Sequence, residues 1–278
     1  FHGDLGLIDD DGKVKLGAVA LAALALSEHP KSSAWSTERT ALLATVDALW
    51  RRSGAFRTFL QPRHRNDNQN FSPGEALLLW SELHANVPDE KLRARFMRSV
   101  RYYKKWHARN PNPAFIPWHT QAYYRMWKET ADTALSEWIF AMNDWLLPVQ
   151  QWLDAPSLEM RGRFYDPVRP FGPPHASSTG VYLEGLIDAF ALARELGDRN
   201  RADRYRLSIV RGIRSVMQLT FKDDADMYYI SQRDRARGGV RTTVYDNAIR
   251  VDNVQHNLMA LLKILPRFDA VDYDSGTA

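Results

Sequence analysis

The stretch IRVDNVQHNLMALLKIL, residues 249–265, concentrates groups that can transfer protons or bind polar ligands. Asp252 and His256 are four residues apart, so on a helix the carboxylate can hydrogen-bond the imidazole, fix its tautomer and raise its basicity. Arg250 precedes them and could bind an acidic group. This spacing is typical of an acid–base site. The alternative is structural, because Asp252 through Gln255 also matches a capping box at a helix start.

Three further carboxylates lie at helix starts or inside apolar segments, where an acidic side chain needs an explanation. Glu75 in FSPGEALLLW could be a catalytic acid or, with Ser72, part of a capping box. Asp144 in FAMNDWLL needs either a functional role or a buried hydrogen bond to a neighbouring loop. Glu184 in TGVYLEG has no capping explanation and shares a helical face with Asp188. The predicted catalytic residues are Glu75, Asp144, Glu184, Asp252 and His256.

Side chains suited to sugar recognition cluster in the long loops and at helix starts. The amides of NDNQN can donate to and accept from hydroxyl groups, and the aromatic rings of PWHTQAYY can stack on sugar rings. Arginines can bind carboxylates through two parallel hydrogen bonds. Each group also has a structural alternative as turn former, core aromatic or helix cap. The predicted substrate-binding residues are Arg57, Asn68, Asn70, Trp118, His119, Tyr124, His175, Tyr245, Asp246 and Arg250.

Cysteine is absent, which excludes disulfides, thiolate metal sites and a cysteine nucleophile. The chain has no G-x-S-x-G, H-E-x-x-H or P-loop sequence, and the acidic run KDDADM lacks EF-hand spacing. His119, His175 and His256 could surround a metal ion, but no spacing supports such a site. We therefore predict neither a metal nor a cofactor.

Helices must position these groups, because nine segments repeat apolar residues at i, i+3, i+4 and i+7. The predicted helices cover residues 16–29, a segment that Ser36 opens, and residues 72–87, 89–109, 119–129, 132–152, 179–196, 199–221 and 252–265. Only DMYYI and GGVRTTVYD could form strands, as a short β-hairpin near residues 227–245. The sequence predicts an all-α protein.

The predicted helices alternate between charge-poor segments and amphipathic, charged ones. Such alternation predicts inner and outer rings, an (α/α) toroid that is a complete or incomplete six-hairpin barrel. A single-layer solenoid is the alternative. Long loops precede the inner helices, so the site is expected at one end, over helix N-termini that favour anions. In the last helix one apolar stripe is interpreted as core-facing: Val254, Leu258, Leu261, Leu262 and Leu265.

Composition and charge limit the partners. The 278 residues carry a net charge of +4, and basic residues are interspersed with acidic ones, so nucleic acid is not a predicted partner. The longest apolar run, LGAVALAALAL, is too short to span a bilayer. Because the chain starts at Phe1, we interpret residues 1–278 as a single domain cut from a longer protein with further domains. The compartment stays undetermined, with a periplasmic or extracellular bacterial location preferred to the cytoplasm.

Five segments resemble the bacterial six-hairpin (α/α) toroid proteins that act on glycans: DGKVKLGAVALAALAL, FSPGEALLLWSEL, MNDWLL, TGVYLEGLIDAFALARELGD and RVDNVQHNLMALL. That superfamily includes unsaturated-uronide hydrolases, polysaccharide lyases, N-acylglucosamine 2-epimerases and glucuronyl C5-epimerases. The resemblance covers nearly the whole chain and is one of pattern and architecture, common to several activities. It implies a toroid fold and a polysaccharide or oligosaccharide ligand.

These observations together predict an enzyme acting on a bacterial polysaccharide that is acidic or contains amino sugars. Hydrolysis is the preferred reaction and would need two carboxylates roughly 5–10 Å apart across a cleft. Lyase or epimerase chemistry would instead need a His or Tyr base near a neutralised uronate. The alternative is a non-catalytic glycan- or peptide-binding toroid domain of a larger assembly protein, because fold does not fix function.

Overall fold

The computed structural model describes residues 2–274 and is mostly helical, with 61% of residues in helices. This part of the chain forms α1 (Leu16–Glu28), α2 (Ser36–Leu49), α3 (Ser72–Asn86), α4 (Glu90–Arg109), α5 (Ile116–Thr130), α6 (Thr133–Leu146), α7 (Ala176–Glu195), α8 (Arg199–Leu219), α9 (Arg233–Ala236) and α10 (Val251–Ile264). All nine predicted helices are present, which confirms the all-α class. Among the helices described, none has the length and apolar character needed to cross a membrane.

Three short strands near the start of the chain form one antiparallel sheet in the order β1 (Asp9–Asp10), β2 (Lys13–Lys15) and β3 (Phe59–Gln61). Asp11 and Gly12 join the first two strands with positive φ angles of 52° and 73°. Asp-Gly is the preferred pair for such a two-residue hairpin turn. We did not predict this sheet, because we followed helical periodicity. The Asp-Gly dipeptide was the sequence signal that could have revealed it.

The sheet fixes the loop between α2 and α3 beside the start of α1. Leu16 N donates to Thr58 O at 2.9 Å, directly after β2. Farther along this loop, Tyr103 on α4 accepts from Phe56 N at 2.9 Å and donates to Gln69 Oε1 at 3.0 Å. Gln69 Nε2 then donates to Phe56 O at 3.1 Å. The long loop is therefore ordered by strand β3 and by these hydrogen bonds together.

The predicted β-hairpin near residues 227–245 is wrong. The short helix α9 occupies its centre, while Val240 and Arg241 form only isolated bridges to residues outside the segment. Met227 is fully buried in an apolar cluster with Phe221. Packing of these side chains, together with a positive φ at Gly238, turns the backbone away from the extended path that a hairpin requires.

Helix α6 is shorter than the predicted segment 132–152. It ends at Leu146 and continues as a single 3-10 turn, Leu147–Val149. Pro148 explains the end, because proline lacks the N–H that would bond the carbonyl of Asp144 and its ring would collide with that carbonyl.

The chain divides into two compact units, Phe1–Ile139 and Phe140–Ala278. In the first unit α3 packs against both α1 and α5, and the charged helices α2 and α4 pack on α1 and α3 respectively. The predicted alternation of buried and amphipathic helices is present here. Small residues permit the close approach of α1 and α3, since a Cβ on Gly17 would collide with the Glu75 carboxylate.

In the second unit α7 packs against α8 and α10. Fifteen of the twenty residues of α7 are buried, which is the behaviour expected of an inner helix. Helix α8 instead has a strongly amphipathic pattern, with an Arg-rich outer side and buried residues such as Tyr205 and Ile209 facing inward. Here too a charge-poor helix is covered by a charged one.

Helix α10 contradicts the predicted core-facing stripe. It packs on α7 through Asn253, Asn257, Ala260 and Ile264, which are buried. Asn253 Nδ2 donates to Thr242 Oγ1 at 2.9 Å, and Asn257 Nδ2 donates to Ala176 O at 3.2 Å. The stripe predicted as core lies largely in solvent, with Leu258, Leu261, Leu262 and Leu265 exposed and Val254 half-buried.

We expect Gly180→Ala to destabilise the second unit. A Cβ on Gly180 would lie 2.8 Å from Asn257 N and 2.9 Å from the carbonyl carbon of His256, and backbone cannot move as a side chain can. The expected loss is about 1–3 kcal/mol of unfolding free energy in urea denaturation, typical of overpacking.

Gly212→Ala on α8 is the matched control for this substitution. Its Cβ would meet the end of the Leu183 side chain, whose Cδ2 lies nearest at 2.6 Å and which can change rotamer. This variant should be near neutral, because the better helix propensity of alanine offsets a small repacking cost. Equal losses in both variants would contradict the close backbone contact between α7 and α10.

Candidate functional site

Each unit has polar side chains within its helical core. The candidate site with the most ion pairs lies between α7 and α10. His256 Nδ1 on α10 donates to Glu184 Oε1 on α7 at 2.8 Å. The Glu184 side chain is 3% exposed and that of His256 is 16% exposed. The predicted pairing of His256 with Asp252 is wrong, because the imidazole turns toward α7 and meets a carboxylate 72 residues away in sequence.

A second ion pair lies deeper along the same two helices. Lys263 Nζ donates to Asp188 Oδ2 at 2.6 Å and to the backbone carbonyl of Glu184 at 2.9 Å. Arg267 Nη2 lies 3.1 Å from Asp188 Oδ1. Glu184 and Asp188 thus share one face of α7, as predicted. We call these five residues, Glu184, Asp188, His256, Lys263 and Arg267, the α7–α10 polar cluster.

Arg250 and Asp252 form a bidentate pair at the start of α10, with nitrogen–oxygen distances of 2.9 and 2.6 Å. Burial alone would raise the pKa of Asp252, but hydrogen bonds and charge from Arg250 outweigh it and hold the pKa below its usual value. Helix α10 begins at Val251 without a side-chain cap, so the capping box from Asp252 to Gln255 is wrong. A third guanidinium nitrogen of Arg250 lies 3.2 Å from His175 Nδ1.

Asp144 has a structural explanation. Tyr205 OH donates to its Oδ1 at 3.0 Å, while Arg201 Nε and Arg204 Nη2 lie 3.0 and 3.3 Å from the carboxylate. Burial, followed by the charge of Asp144, raises the pKa of Tyr205 above its ordinary value. The partners come from α8 and not from a neighbouring loop. We assign Asp144 to helix packing rather than to acid–base chemistry.

Tyr245 and Asp246 lie in the exposed turn before α10. Asp246 Oδ1 accepts from Ala248 N at 2.9 Å, which stabilises the turn. Tyr245 is 75% exposed, and its hydroxyl lies 3.5 Å from the Met160 sulfur. The tyrosine ring therefore remains available for stacking, whereas the aspartate acts within its own loop.

In the first unit Glu75 lies half-buried where α3 crosses α1. The expected capping box is wrong, because α3 already begins at Ser72 and its N-cap, Phe71, makes no side-chain cap. The carbonyl of Asn68 accepts from Phe71 N and Ser72 N, both at 3.1 Å, and so caps the helix through backbone. The Glu75 carboxylate instead lies against Gly17.

His119 belongs to the core, so its prediction as a substrate-binding residue is wrong. The ring is fully buried, stacks on Phe115 at a centroid distance of 3.5 Å, and donates from Nδ1 to Phe115 O at 2.8 Å. Burial lowers its pKa to about 3, so the imidazole is neutral. Tyr124 is 5% exposed and stacks on Trp127, so its ring is not accessible to a sugar. Trp118 stays partly exposed beside Gly74.

The amide cluster NDNQN works mainly as loop structure. Asn68 takes a left-handed conformation with φ of 64°, which asparagine tolerates. Asn66 Oδ1 accepts from Thr58 N at 3.0 Å. Asn70 differs, because its Oδ1 is buried and has no hydrogen-bond partner among the described residues. Arg57 is partly exposed and donates to Arg63 O at 2.8 Å, which leaves it at the loop surface.

Sequence reasoning missed Lys263 and Arg267. Their spacing from His256, at i+7 and i+11, places all three on one side of the last helix and its extension, and this was the available signal. Within residues 2–274 no three His, Asp or Glu side chains come together in a way that could hold a metal ion.

Comparisons with protein-family models, with curated proteins and with solved structures found no match.

We expect buried His119 to make stability depend on pH. Its pKa is about 3 in the folded state and near 6.5 when unfolded, so the unfolded chain binds the extra proton first. This contribution is complete above pH 7 and is lost as the pH falls through 6.5 toward 3. Between pH 7 and pH 5 it amounts to about 2 kcal/mol, measurable by urea unfolding. His119→Phe should reduce the difference in unfolding free energy between pH 7 and pH 5 by that amount.

Tyr123→Phe provides the matched control, because it removes a buried hydroxyl from the ring that packs edge-on against His119. Burial raises the pKa of Tyr123 well above its ordinary value, so it does not titrate between pH 5 and pH 7. This variant should keep the wild-type slope. A wild-type slope in His119→Phe would show that the histidine is not buried in solution.

Proposed function

We propose that this protein is a carbohydrate-active enzyme in which His256, held by Glu184, exchanges a proton with an acidic glycan. The observation that carries the proposal is the 2.8 Å hydrogen bond from His256 Nδ1 to Glu184 Oε1. Glu184 is almost fully buried, whereas His256 keeps part of its surface exposed. The imidazole therefore stands at the border between core and solvent, where a substrate can reach it.

The carboxylate determines which imidazole nitrogen does the chemistry. An acceptor at Nδ1 keeps a proton on that nitrogen and fixes the ring orientation. Proton exchange with a substrate is then assigned to Nε2, as in other carboxylate–histidine pairs that act in general acid–base catalysis. Holding the ring in this way also reduces the conformational entropy lost when the substrate binds.

Base chemistry fits the second unit better than the hydrolysis expected from sequence. A glycosidase needs two carboxylates that act on the glycosidic bond from either side. Asp144, Asp188 and Asp252 are each engaged by one or two cationic side chains. A hydrolase would have to break one of these pairs. A histidine base does not need a second available carboxylate, so a lyase or an epimerase is the preferred reaction class.

The substrate class follows from Arg250 and from the helix starts beside it. His175 precedes α7 and Arg250 precedes α10, and their nitrogens lie 3.2 Å apart. Helix N-termini add partial positive charge at this place. Arg250 lies six residues before His256, about 9 Å along the helix axis. This separation fits a polymer in which one sugar carboxylate is bound while a neighbouring sugar reacts.

The reaction begins with removal of the proton on the carbon next to a uronate carboxylate. His256 Nε2 takes this proton, and the electron pair is delocalised onto the carboxylate. In a lyase the C–O bond on the next carbon then breaks, the leaving glycosidic oxygen takes a proton from water, and a carbon–carbon double bond forms. In an epimerase a proton from water returns to the opposite face of the carbon, and His256 passes its own proton to solvent.

The proposal includes a toroidal arrangement of the helical hairpins. Its support is the pairing inside each unit, where charge-poor α1, α3 and α7 are each covered by a charged helix. The long loops before α7 and α10, both within the second unit, then provide the mouth of the cleft. A polysaccharide or oligosaccharide is the corresponding partner.

A non-catalytic glycan-binding domain is the second candidate. The α7–α10 polar cluster favours it, because every charge in that cluster has a partner and could serve only to join the two helices. In that case a glycan would bind near Arg250, His175 and Tyr245 without being changed.

The test is incubation of the protein in deuterated water with polymers of glucuronate, mannuronate or galacturonate. We expect deuterium at the carbon next to the carboxylate, or unsaturated ends, as measured by NMR. His256→Ala should reduce the rate by about 10²–10⁴-fold, the usual contribution of a general base. Glu184→Gln, which keeps a hydrogen-bond acceptor, should reduce kcat more than it changes KM.

His29→Ala is the matched control, because that histidine is exposed in the first unit. Full activity in this variant and in wild type, with loss in His256→Ala, supports the proposal. Turnover that survives in His256→Ala contradicts the assigned base. Binding of a uronate polymer without deuterium incorporation, unsaturation or new reducing ends establishes the second candidate.

A further inference from the structure

Three arginines surround one indole ring in the second unit. The guanidinium carbons of Arg211, Arg214 and Arg161 lie 4.6, 5.6 and 5.8 Å from the centre of the Trp152 ring. All four side chains are half-buried, and we call them the Trp152 arginine cluster. The indole attracts each cation, but the three like charges repel one another, so their grouping needs a further explanation.

One close contact of the backbone brings these arginines together. Arg211 and Arg214 are three residues apart on α8 and therefore lie side by side on that helix. Arg161 follows the 3-10 turn Leu158–Met160, and Gly162 comes next with a φ of 93°. A Cβ on Gly162 would collide with the carbonyl oxygen of Arg211, so only glycine lets this loop approach α8. The sequence thus specifies the close approach that sets Arg161 beside the helix.

The protein does not neutralise the positive charge of this cluster. Among the described residues no Asp or Glu forms an ion pair with any of its three arginines. Arg214 donates to neutral oxygens, including the backbone carbonyls of Leu158 and Arg161 at 3.1 and 3.4 Å. The Nε atoms of Arg161 and Arg211 are buried and have no hydrogen-bond partner in the described part of the chain. Burial lowers the pKa of the Arg211 guanidinium below its ordinary value, as expected for an uncompensated cation.

Two acidic residues that flank the cluster in sequence are engaged in their own turns. Hydrogen bonds from its own backbone and from Ser157 lower the pKa of Glu159, and the charge of Arg214 adds a smaller effect. Asp154 is exposed, and its Oδ1 accepts from Trp152 N at 3.1 Å. Because neither carboxylate pairs with an arginine of the cluster, the cluster keeps an excess of positive charge.

Arginines in the first half of α8 show the opposite behaviour. Arg201 lies 3.0 Å from Asp144 and 2.7 Å from Asp198, and Arg204 lies 3.3 Å from Asp144. Where α8 uses arginines to join helices, carboxylates therefore accompany them. The Trp152 arginine cluster lacks such partners, which favours a role in binding an anion from outside the chain.

We propose that the Trp152 arginine cluster binds a tetrahedral oxyanion, the sulfate or phosphate group of a free ion or of an ester. Guanidinium groups bind such anions through paired, charge-assisted hydrogen bonds. A sulfate or phosphate group offers several oxygens and up to two negative charges, so it can accept from more than one arginine. A single carboxylate is satisfied by one arginine. The site contains neither His256 nor Glu184, so it is independent of the proposed enzymatic function.

Isothermal titration calorimetry of the whole chain tests the site, with inorganic sulfate and inorganic phosphate as probes at constant ionic strength. We expect saturable binding to the wild type. Arg161→Gln and Arg211→Gln should each weaken it about 10-fold or more, because each removes a charge-assisted hydrogen bond. Arg199→Gln is the matched control, since Arg199 is exposed at the start of α8, about 18 Å along the helix from Arg211, and should keep the wild-type affinity. Circular dichroism verifies that each variant is folded.

Chemical modification of the unaltered chain locates the bound ion. Phenylglyoxal reacts with accessible guanidinium groups, and peptide mass spectrometry identifies the modified arginines. Sulfate should slow the modification of Arg211 and Arg214 and leave that of Arg199 unchanged. Glucose 6-sulfate and glucose 6-phosphate then separate the two sources of the anion. Tighter binding of these esters than of the free ions supports an ester ligand, whereas equal or weaker binding supports the free ion.

Three results would each overturn the proposal. The first is that neither sulfate nor phosphate shows saturable binding to the wild type. The second is binding that both Arg161→Gln and Arg211→Gln leave unchanged, or protection by sulfate that does not include Arg211. The third is glucuronate bound as tightly as sulfate, which would show that the cluster recognises carboxylates and not tetrahedral anions.

Discussion

Two buried carboxylates on α7 determine the organisation of the second unit. Glu184 and Asp188 lie on a helix that is otherwise buried on nearly all sides, and a buried carboxylate without a partner costs several kcal/mol. The neighbouring helix must therefore present His256 and Lys263 toward them. Because this polar side of α10 packs on α7, the apolar side faces outward. The candidate base and the exposed apolar side of α10 are consequences of the same requirement.

The first unit solves a different packing problem. Its helices approach closely where glycines face bulky or polar groups, Gly17 against Glu75 and Gly74 against Trp118 and His119. His119 serves there as a neutral, flat core residue between aromatic rings. Glu75 remains the acidic candidate of this unit, placed by a helix crossing and not by a capping motif. Two histidines of the chain thus have different environments, since burial keeps His119 neutral whereas His256 lies at the edge of solvent.

The partners of the carboxylates limit which reactions the second unit is suited to. Acidic residues that look equivalent in the sequence differ once their neighbours are known. Asp144 joins α6 to α8, Asp188 pairs with Lys263 and Arg267, and Asp252 pairs with Arg250. Glu184 alone among the candidates in the second unit is bonded to an imidazole. Chemistry that needs a positioned base therefore fits this unit better than chemistry that needs two available acids.

Periodicity determined the helices, because burying one face requires apolar residues every three to four positions wherever a helix packs. The end of α6 at Pro148 and the Asp-Gly hairpin also follow local rules, although we predicted neither. Sequence likewise placed Glu184 and Asp188 on one face. It could not choose the partner of His256, since Asp252 at i−4 and Glu184 on another helix are both chemically suitable. It also assigned the apolar stripe of α10 to the core. Only the tertiary structure decided the partner of His256 and the direction of the apolar stripe. Both depend on which side of α10 turns toward the buried charges of α7.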